Sequence, residues 1–425
     1  MKIEIESAWP RYPDYRIELI PCARTARVSV GGMVVAESDA CLLVTETKHV
    51  DRLYFPEDSV RWELFTPTEH HTICPFKGQA DYWTLTGSDP VEENVVWTYR
   101  EPFTEVAGIE GHVCFYDDRL TVEWCERWPD GSEVSTRFPA WGDETELVRL
   151  IDVEPAGERR YIGPAYGDTP RNVVEGGQLL GEAIVAASKS VPGQRVTTAT
   201  MIFSKAASFD LPVEVDVELL RGGRSFSTAE VRIQQDGSLR ASALLLLDAG
   251  SPDLIRHAPP MPDVVGPEAA VPFDFGVTGR DLRVVDAAYD RDPDRLGPPE
   301  LFVWARFRDA PARADLHAAL LSQSTTHWTI AAAMRPHAGF GEALAHRSLS
   351  TGVMQVSIAF HDAVDVTDWL LYATHAIWSG RGLAQGQGQV FTRDGRLVAS
   401  YSVQVMIREF ATPPDEMGRD HRTAM

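Results

Sequence analysis

The sequence lacks any apolar run close to the roughly 20 residues that cross a bilayer, and no basic start leads into an apolar stretch. Its first residues, Met1-Lys2-Ile3-Glu4, do not have the pattern of a signal peptide. We therefore expect a cytoplasmic protein without a membrane-spanning segment.

Positive charge is scarce as well, because 40 lysines and arginines stand against 62 aspartates and glutamates, for a formal net charge of −22. A field of this sign repels phosphate backbones and anionic lipids. We therefore expect neither a nucleic acid nor a membrane as partner. An anionic ligand would need arginine or lysine side chains placed around it.

Closely spaced cysteines are missing too. The five cysteines all lie before residue 126, and none forms a CxxC pair or another compact zinc-binding spacing. An odd number of cysteines in a cytoplasmic protein predicts reduced thiols that pack as small apolar side chains. We expect no metal.

The length of 425 residues indicates two or three packing units, and 44% hydrophobic residues are typical of a globular protein. Short alternating runs predict a small, mostly β domain over residues 1–128, followed by a linker at 129–170. Within that domain we expect a hairpin of 27–30 with 33–35, a helix at 105–116, and strands at 41–45, 60–65, 82–85 and 95–99.

From residue 171 onward the same pattern occurs twice, as a helix followed by four strands. The predicted helices are 177–190 and 315–334. The predicted strands are 195–203, 212–220, 225–235 and 238–247 in the first copy, and 348–360, 369–378, 383–392 and 396–407 in the second.

Each copy predicts a hotdog, in which an antiparallel sheet curls around one helix and buries its apolar stripe. In the first copy this stripe consists of Leu180, Ala183, Ile184 and Ala187. The expected fold class is α+β, with the mostly-β domain followed by a double hotdog: a first half at 171–250, a crossover at 251–296 and a second half at 297–410. We expect the two sheets to meet face to face around a slot for an acyl chain, and residues 411–425 to form a disordered tail.

Several ordered motifs carry a resemblance to a known family. They are Glu175-Gly176-Gly177-Gln178-Leu179-Leu180-Gly181-Glu182-Ala183, Leu219-Leu220-Arg221-Gly222-Gly223-Arg224-Ser225-Phe226-Ser227, Met334-Arg335-Pro336-His337 and Asp394-Gly395-Arg396-Leu397-Val398-Ala399-Ser400. In this order they resemble acyl-coenzyme A thioesterase II. The resemblance implies hydrolysis of a fatty acyl-coenzyme A by a water held among an Asp, a Thr or Ser, and a Gln. Coenzyme A enters as part of the substrate, and no cofactor is expected.

The three catalytic positions that the resemblance implies carry other residues in this chain. The Asp position falls on Thr326, the hydroxyl position near Val353 and the Gln position on Val403. One interpretation is an altered site that uses Thr326, His327, Ser357 and Gln404, since histidine is the side chain that titrates near neutrality. The other interpretation is that His327 and Gln404 are ordinary polar residues.

Candidate substrate contacts come from the same motifs. Arg224, Arg335 and Arg381 could bind the phosphates of coenzyme A, because the guanidinium fork matches phosphate oxygens. Alternatively, they solvate loops or pair with carboxylates. The start of the first helix, at Gly177, could supply backbone donors to an oxyanion.

The N-terminal domain resembles the family called domain of unknown function 427 over residues 16–126. The matching pieces include Glu46-Thr47-Lys48-His49, Tyr54-Phe55-Pro56 and Cys74-Pro75-Phe76-Lys77-Gly78. Lys77 could activate the Cys74 thiol, and Glu46, His49 and Tyr54 could complete a polar cluster. The alternative is that Cys74 packs under a turn and Lys77 is solvated.

Two functions remain open from the sequence. The first is a thioesterase-like protein that hydrolyses or otherwise processes a small-molecule acyl thioester. The alternative is a non-hydrolytic acyl-thioester binding protein with any chemistry in its N-terminal domain. In both, the hotdog sheets could support a homo-oligomer.

Overall fold

The computed structural model describes residues 6–410 except for 14, 23, 48, 88–90, 118, 128–132, 139–143, 166–172, 274–279, 289–294, 342–343 and 346–347. The described residues before 139 form one compact unit, and those from 144 onward form a second. The tail expected at 411–425 lies outside the described residues.

The first unit is built from two antiparallel sheets. The larger has the strand order β1-β4-β5-β9-β8-β7-β6, and the smaller β11-β10-β2-β3. The strands are β1 (Ile17–Pro21), β2 (Thr25–Val30), β3 (Met33–Ser38), β4 (Leu42–Glu46), β5 (His49–Pro56), β6 (Phe65–Cys74), β7 (Gly78–Leu85), β8 (Glu92–Thr98), β9 (His112–Phe115), β10 (Thr121–Arg127) and β11 (Glu133–Arg137). The predicted hairpin is confirmed, since β2 pairs with β3 across Gly31 and Gly32.

Two predictions in this unit were wrong. Residues 105–116 form a short 3-10 helix, Thr104–Ile109, followed by strand β9. Gly111 has φ of +74°, which turns the chain out of the helix, and the apolar spacing beyond it belongs to the strand. Residues 60–65 are not a strand either, because a 3-10 turn, Trp62–Leu64, precedes β6.

All five cysteines are free, as expected. Four are buried, and Cys74 is partly exposed. Burial raises the pKa of the Cys41 and Cys114 thiols to about 12, so both remain neutral and pack as apolar groups.

The described residues of the second unit form one 13-stranded antiparallel sheet, four α-helices and a short 3-10 helix at Val285–Ala287. Its strands are β12 (Glu154–Gly157), β13 (Arg160–Gly163), β14 (Arg195–Phe203), β15 (Val213–Arg221), β16 (Phe226–Gln235), β17 (Ser238–Asp248), β18 (Val271–Pro272), β19 (Arg280–Val284), β20 (Glu300–Phe307), β21 (Leu349–Phe360), β22 (Leu370–Gly380), β23 (Leu383–Thr392) and β24 (Leu397–Glu409). Its helices are α1 (Glu144–Ile151), α2 (Gly176–Ser190), α3 (Ala314–Ser324) and α4 (Thr329–Met334). The predicted repeat of a helix and four strands is therefore confirmed. Among the described residues, no helix has the length and apolar character that crossing a membrane requires.

The two halves of this sheet join edge to edge, and the predicted face-to-face arrangement is wrong. The strand order is β12-β13-β15-β16-β17-β14-β21-β24-β23-β22-β20-β19-β18. Strands β14 and β21 pair directly, with Thr200 opposite Ser357. Each half thereby covers the unpaired edge of the other with backbone hydrogen bonds.

The helices cover one face of the sheet, which we call the inner face. Helix α2 packs on β13 to β17, and α4 packs on β20 and β22 to β24. The predicted stripe of α2 is completely buried, since Leu180, Ala183, Ile184 and Ala187 are all 0% exposed. Helix α3 packs mainly on α2, so the two halves also meet through their helices.

The predicted helix 315–334 is interrupted between α3 and α4. Thr325 Oγ1 donates to the carbonyl of Ser322 at 2.7 Å, and Thr326 Oγ1 donates to that of Gln323 at 3.4 Å. Such hydroxyl groups compete for the carbonyls of a helix end. The interruption places Thr326 and His327 at the junction of α3 with the start of α2.

The segments expected to be a linker and a crossover both contribute elements. Within 129–170, β13 pairs with β15, and α1 buries Leu150 and Ile151 against the hotdog helices. Within 251–296, β19 pairs with β20 and extends the sheet. The apolar runs in both segments are too short for a helix or strand period to be recognised in the sequence.

Candidate functional site

The three catalytic positions implied by the resemblance carry no carboxylate and no amide. Thr326 is 7% exposed at the end of α3. Val403 is fully buried on the inner face, where its neighbour Gly386 faces Thr329 of α4. Val353 pairs with Val405. A hydroxyl group and two isopropyl groups cannot take a proton from water near neutrality.

Ser357 and Gln404 lie on the opposite, outer face of the sheet. Val403 and Val405 on either side of Gln404 are both buried, so Gln404 points away from the helices. A bulge lies in β21 between Val353 and Gln355, and β24 keeps its alternation. The structure therefore does not bring Ser357 and Gln404 together with Thr326.

Ser357 belongs instead to a polar groove on the outer face. Its hydroxyl lies 2.9 Å from that of Thr200, across the pair that joins the two halves. The groove has a volume of about 790 Å³ and is lined by hydroxyl and amide side chains, among them Ser400, Ser402 and Gln387. These polar side chains face solvent on an exposed surface of the sheet.

His327 lies at the junction of α2 and α3. Its side chain is buried, and its Nε2 is 3.6 Å from Glu175 Oε2. Glu175 precedes the first residue of α2, and its Oε2 also accepts a hydrogen bond from Gln323 Nε2 at 2.8 Å. His327 thus lies near a partly exposed carboxylate, at the helix junction that also contains Thr326 and away from Ser357 and Gln404.

A buried arginine completes this junction, and the sequence analysis missed it. Arg280 is 4% exposed, and its Nη1 donates to Gln323 Oε1 at 2.9 Å and to Ser324 Oγ at 2.8 Å. Burial lowers its pKa, while the carboxylate of Glu175 acts in the opposite direction. Arg280 lies on the same face of the short strand β19 as Leu282 and Val284, and a charged residue on that apolar face was the available signal.

Gly177 lies in the first turn of α2, where the two central helices touch. A Cβ there would stand 2.7 Å from the Cα of Gln323 and would also collide with the Gln323 carbonyl oxygen. One turn further, a Cβ on Gly181 would lie 3.3 Å from the Ala319 carbonyl oxygen. These two glycines set how closely α2 approaches α3.

A buried acidic group, Glu182, lies on α2 and was also missed from the sequence. It is 1% exposed, and Gln178 Nε2 donates to its Oε1 at 2.9 Å. Burial raises its pKa to about 8, and the hydrogen bond from Gln178 opposes only part of that rise. Among the described residues, Glu182 Oε2 and Gln178 Oε1 have no hydrogen-bond partner.

Glu182 lies inside the continuous helix α2 of the first half, whereas Thr326 lies between α3 and α4 of the second half. The available signal in the sequence was an acidic residue between the apolar residues of the Leu180-Gly181-Glu182-Ala183 motif.

The raised pKa of Glu182 predicts a pH-dependent stability. The folded protein binds a proton that the unfolded chain loses near pH 4.5, so the free energy of unfolding falls as pH rises from about 5 to about 8. We expect Glu182→Gln to remove this loss, with the difference between variant and parent growing by about 1.4 kcal/mol per pH unit in that range. Urea unfolding at pH 5, 6.5 and 8 measures it, and a pH-independent difference would contradict a titrating Glu182.

The three arginines assigned to coenzyme A phosphates lie in separate places. Arg224 and Arg381 are exposed in the β15–β16 and β22–β23 turns, and Arg381 has φ of +56°. Arg335 donates to the carbonyl of Glu300 and packs against Gly297. Arg335 therefore holds a loop in place, while Arg224 and Arg381 remain accessible to an anionic ligand.

In the N-terminal unit, the structure brings together most of the predicted cluster. Lys77 donates to Glu46, and both are buried. Cys74 and Tyr54 belong to the apolar cluster beside them. His49 pairs with Glu46 across the β4–β5 turn, but its side chain is exposed. Lys77 is therefore not solvated, contrary to the simpler expectation for this loop.

Tyr15 joins this cluster and was missed by the sequence analysis. Its hydroxyl donates to Glu46 Oε1 at 2.6 Å. Burial is the first cause of a raised pKa for Tyr15, and the neighbouring Glu46 adds to it. The contact joins β4 to a segment before β1, which local sequence patterns do not reveal.

Comparison with protein families gives three matches along the chain. Residues 18–126 match a domain of unknown function, DUF427. Residues 166–247 match the acyl-CoA thioesterase N-terminal domain, and residues 255–407 match the acyl-CoA thioesterase C-terminal domain.

Individual relatives agree with these matches. An acyl-coenzyme A thioesterase 8 of Mus musculus is 25% identical over 292 residues, covering 62% of this chain and 88% of the relative. An acyl-CoA thioesterase 2 of Haemophilus influenzae is 25% identical over 285 residues, covering 62% and 96%.

Solved structures share the fold. A tesB protein of Mycobacterium avium has a TM-score of 0.53 and 22% identity, covering 62% of this chain and 98% of that one. A hot dog fold protein of unknown function from Alicyclobacillus acidocaldarius has a TM-score of 0.51 and 18% identity, covering 63% and 99%. The double-hotdog fold class is thereby confirmed.

Proposed function

The chain belongs to the acyl-CoA thioesterase family over residues 166–247 and 255–407 and to the DUF427 family over residues 18–126, and we propose that it hydrolyses an acyl-coenzyme A thioester. The observation that carries this proposal is Glu182, a buried carboxyl group whose pKa is raised to about 8. A group that titrates near the working pH can both accept and return a proton during catalysis.

The Glu182 and Gln178 side chains suit a nucleophilic water. Their groups are joined by a 2.9 Å hydrogen bond, and each has one acceptor oxygen left without a donor among the described residues. A water can donate one hydrogen to each oxygen and keep a lone pair for the thioester carbon. A water that reaches these two buried oxygens would supply the hydrogen-bond donors that they lack.

The reaction follows from these groups. The water oxygen bonds to the thioester carbon while the Glu182 carboxylate takes one of its protons. The carbon–sulfur bond then breaks, and the departing thiolate of coenzyme A receives the proton from Glu182. The products are a carboxylic acid and free coenzyme A, and Glu182 returns to its starting state.

The primary test is release of free thiol from acyl-coenzyme A substrates of short, medium and long chain. We expect thiol release from at least one chain length, because a positioned base contributes about 10²- to 10⁴-fold to such a step. No release above the rate without protein, across all chain lengths, would contradict the hydrolase proposal.

A second test adds a carboxylate where the family has one. Thr326→Asp is expected to raise the rate of thiol release, since the new carboxylate would stand at the end of α3, at the position where the family resemblance implies one. Thr326→Asn is the matched control, because it has the same shape without the basicity. Equal rates for the two variants would show that the junction of α2 and α3 is not part of the catalytic site.

The second candidate function is a binding protein without turnover. The observation that favours it is the loss of carboxylate and amide groups at Thr326, Val353 and Val403. A thermal shift with acyl-coenzyme A but no thiol release would support it, because a ligand that binds the folded state raises the unfolding midpoint. Arg224 and Arg381 are proposed to bind the phosphates in either case.

A homo-oligomer is proposed through the outer face of the sheet. Ile202, Leu244 and Ile377 are more than half exposed there, at 58%, 53% and 55%. A second copy would cover these side chains. Light scattering of the parent and of Ile377→Glu measures the change in mass.

The proposed location is the cytoplasm.

A further inference from the structure

The N-terminal unit contains a buried amine that the proposed thioesterase chemistry does not use. Lys77 and Glu46 are 6% and 8% exposed, and Lys77 Nζ donates to Glu46 Oε2. The second carboxylate oxygen, Oε1, accepts the hydroxyl of Tyr15 at 2.6 Å. Both oxygens of Glu46 are therefore held by donors, and one of those donors is the amine.

The loop that carries Lys77 is tightly positioned. The Phe76 ring stacks on Tyr15 with centroids 3.6 Å apart, and the Phe76 carbonyl accepts Trp9 Nε1 at 2.9 Å. The backbone N–H of Phe103 donates to the Lys77 carbonyl at 3.1 Å. Gly78 has φ of +111° and would bring a Cβ to 3.2 Å from the Glu101 carbonyl oxygen. The amine is thus preorganised by its backbone as well as by its carboxylate.

The choice of lysine at this position is informative. Only five of the 40 basic residues in the chain are lysines, and the rest are arginines. An arginine would make a stronger, bidentate pair with a buried carboxylate, but its guanidinium does not lose a proton in proteins. A lysine ammonium can pass its proton to the carboxylate and become a nucleophile. A buried ion pair is also weak evidence for a stabilising role, since desolvation offsets much of the attraction.

We propose that the N-terminal domain binds a small uncharged aldehyde or ketone and that Lys77 forms an imine with it. Lys77 Nζ passes a proton to Glu46 Oε2, and its lone pair then bonds to the carbonyl carbon. Glu46 returns this proton to the carbonyl oxygen and then carries a second proton from the nitrogen to the same oxygen, which leaves as water when the C=N bond forms. The ammonium and the carbonyl compound are converted to a protonated imine and one water, so atoms and charge balance.

The other residues explain why the ligand would be uncharged and small. The Glu46 carboxylate repels a carboxylate or phosphate on the ligand, and the chain as a whole carries a net charge of −22. Tyr15 is a positioning residue, since it fixes the carboxylate through Oε1. Tyr99 and Tyr54, 7% and 2% exposed, form part of the surrounding apolar cluster, which keeps water away from the C=N bond.

The test uses the full chain with limiting propanal and sodium cyanoborohydride, which reduces an imine to a stable propyl amine. Peptide mass spectrometry then locates the propyl group. We expect Lys77 to be modified about ten-fold faster than Lys189, because a base beside the amine accelerates attack. Lys189 is the matched control, since its Nζ pairs with Asp152 at 2.6 Å and its side chain is partly buried.

Two variants separate the chemistry from folding. Glu46→Gln keeps an oxygen for Tyr15 but removes the proton acceptor, and it is expected to bring the Lys77 rate down to that of Lys189. Lys77→Arg should leave the modification of Lys189 unchanged and abolish the propyl adduct at residue 77. Equal rates at Lys77 and Lys189 in the parent protein would overturn the proposal, and that comparison needs no variant to fold.

Discussion

Replacing Glu182 by glutamine is expected to reduce thiol release from acyl-coenzyme A by about 10²- to 10⁴-fold, the range for loss of a general base. Glutamine has the shape of glutamate and can keep a hydrogen bond with Gln178, but it cannot take a proton from water. Initial rates with the best acyl chain measure the effect. Parent activity should also rise with pH through about 8, as the Glu182 carboxyl group ionises.

The control for this variant is Glu214→Gln, an exposed glutamate on β15 of the same half. It makes the same Glu-to-Gln change at an exposed position and is expected to leave the rate of thiol release within about two-fold of the parent. Surface substitutions usually have small effects. An unchanged rate in Glu182→Gln would show that hydrolysis uses another base. In that case the Thr326→Asp and Thr326→Asn pair decides whether the base lies at the helix junction.

The second large effect concerns the contact between the two hotdog helices. Gly177→Ala is expected to lower the free energy of unfolding of the second unit by about 3 kcal/mol, near the upper end for overpacking a core. The added Cβ would lie 2.7 Å and 2.8 Å from the backbone Cα and C of Gln323. A backbone cannot rotate aside as a side chain can, so α2 and α3 must separate. Urea unfolding followed by circular dichroism measures the change.

Gly181→Ala is the matched control, one helical turn further along the same contact. Its Cβ would stand 3.3 Å from the Ala319 carbonyl oxygen and from Ile151 Cγ2, which a shift of a few tenths of an ångström relieves. The higher helix propensity of alanine offsets part of that cost, so a change of about 1 kcal/mol or less is expected. If both variants lose the same stability, close helix contact at Gly177 is not the cause.

The sequence by itself determined the repeat in the second unit. Eight strands and the helix α2 were predicted within a few residues, because alternation and apolar spacing are local and survive without tertiary contacts. The ordered motifs at 175–183 and 394–400 also identified the family. The helix expected at 105–116 failed because Gly111 ended it, and the same apolar residues then served a strand.

Only the tertiary structure decided which polar residues share a site. Ser357 and Gln404 were close to the family positions in sequence, yet the unbroken alternation of β24 turns Gln404 to the outer face. Glu182 and Arg280 lie far from those positions in the chain and became candidates because folding buries them. Burial sets the pKa of Glu182, and burial depends on what packs from distant parts of the chain, which no local pattern records.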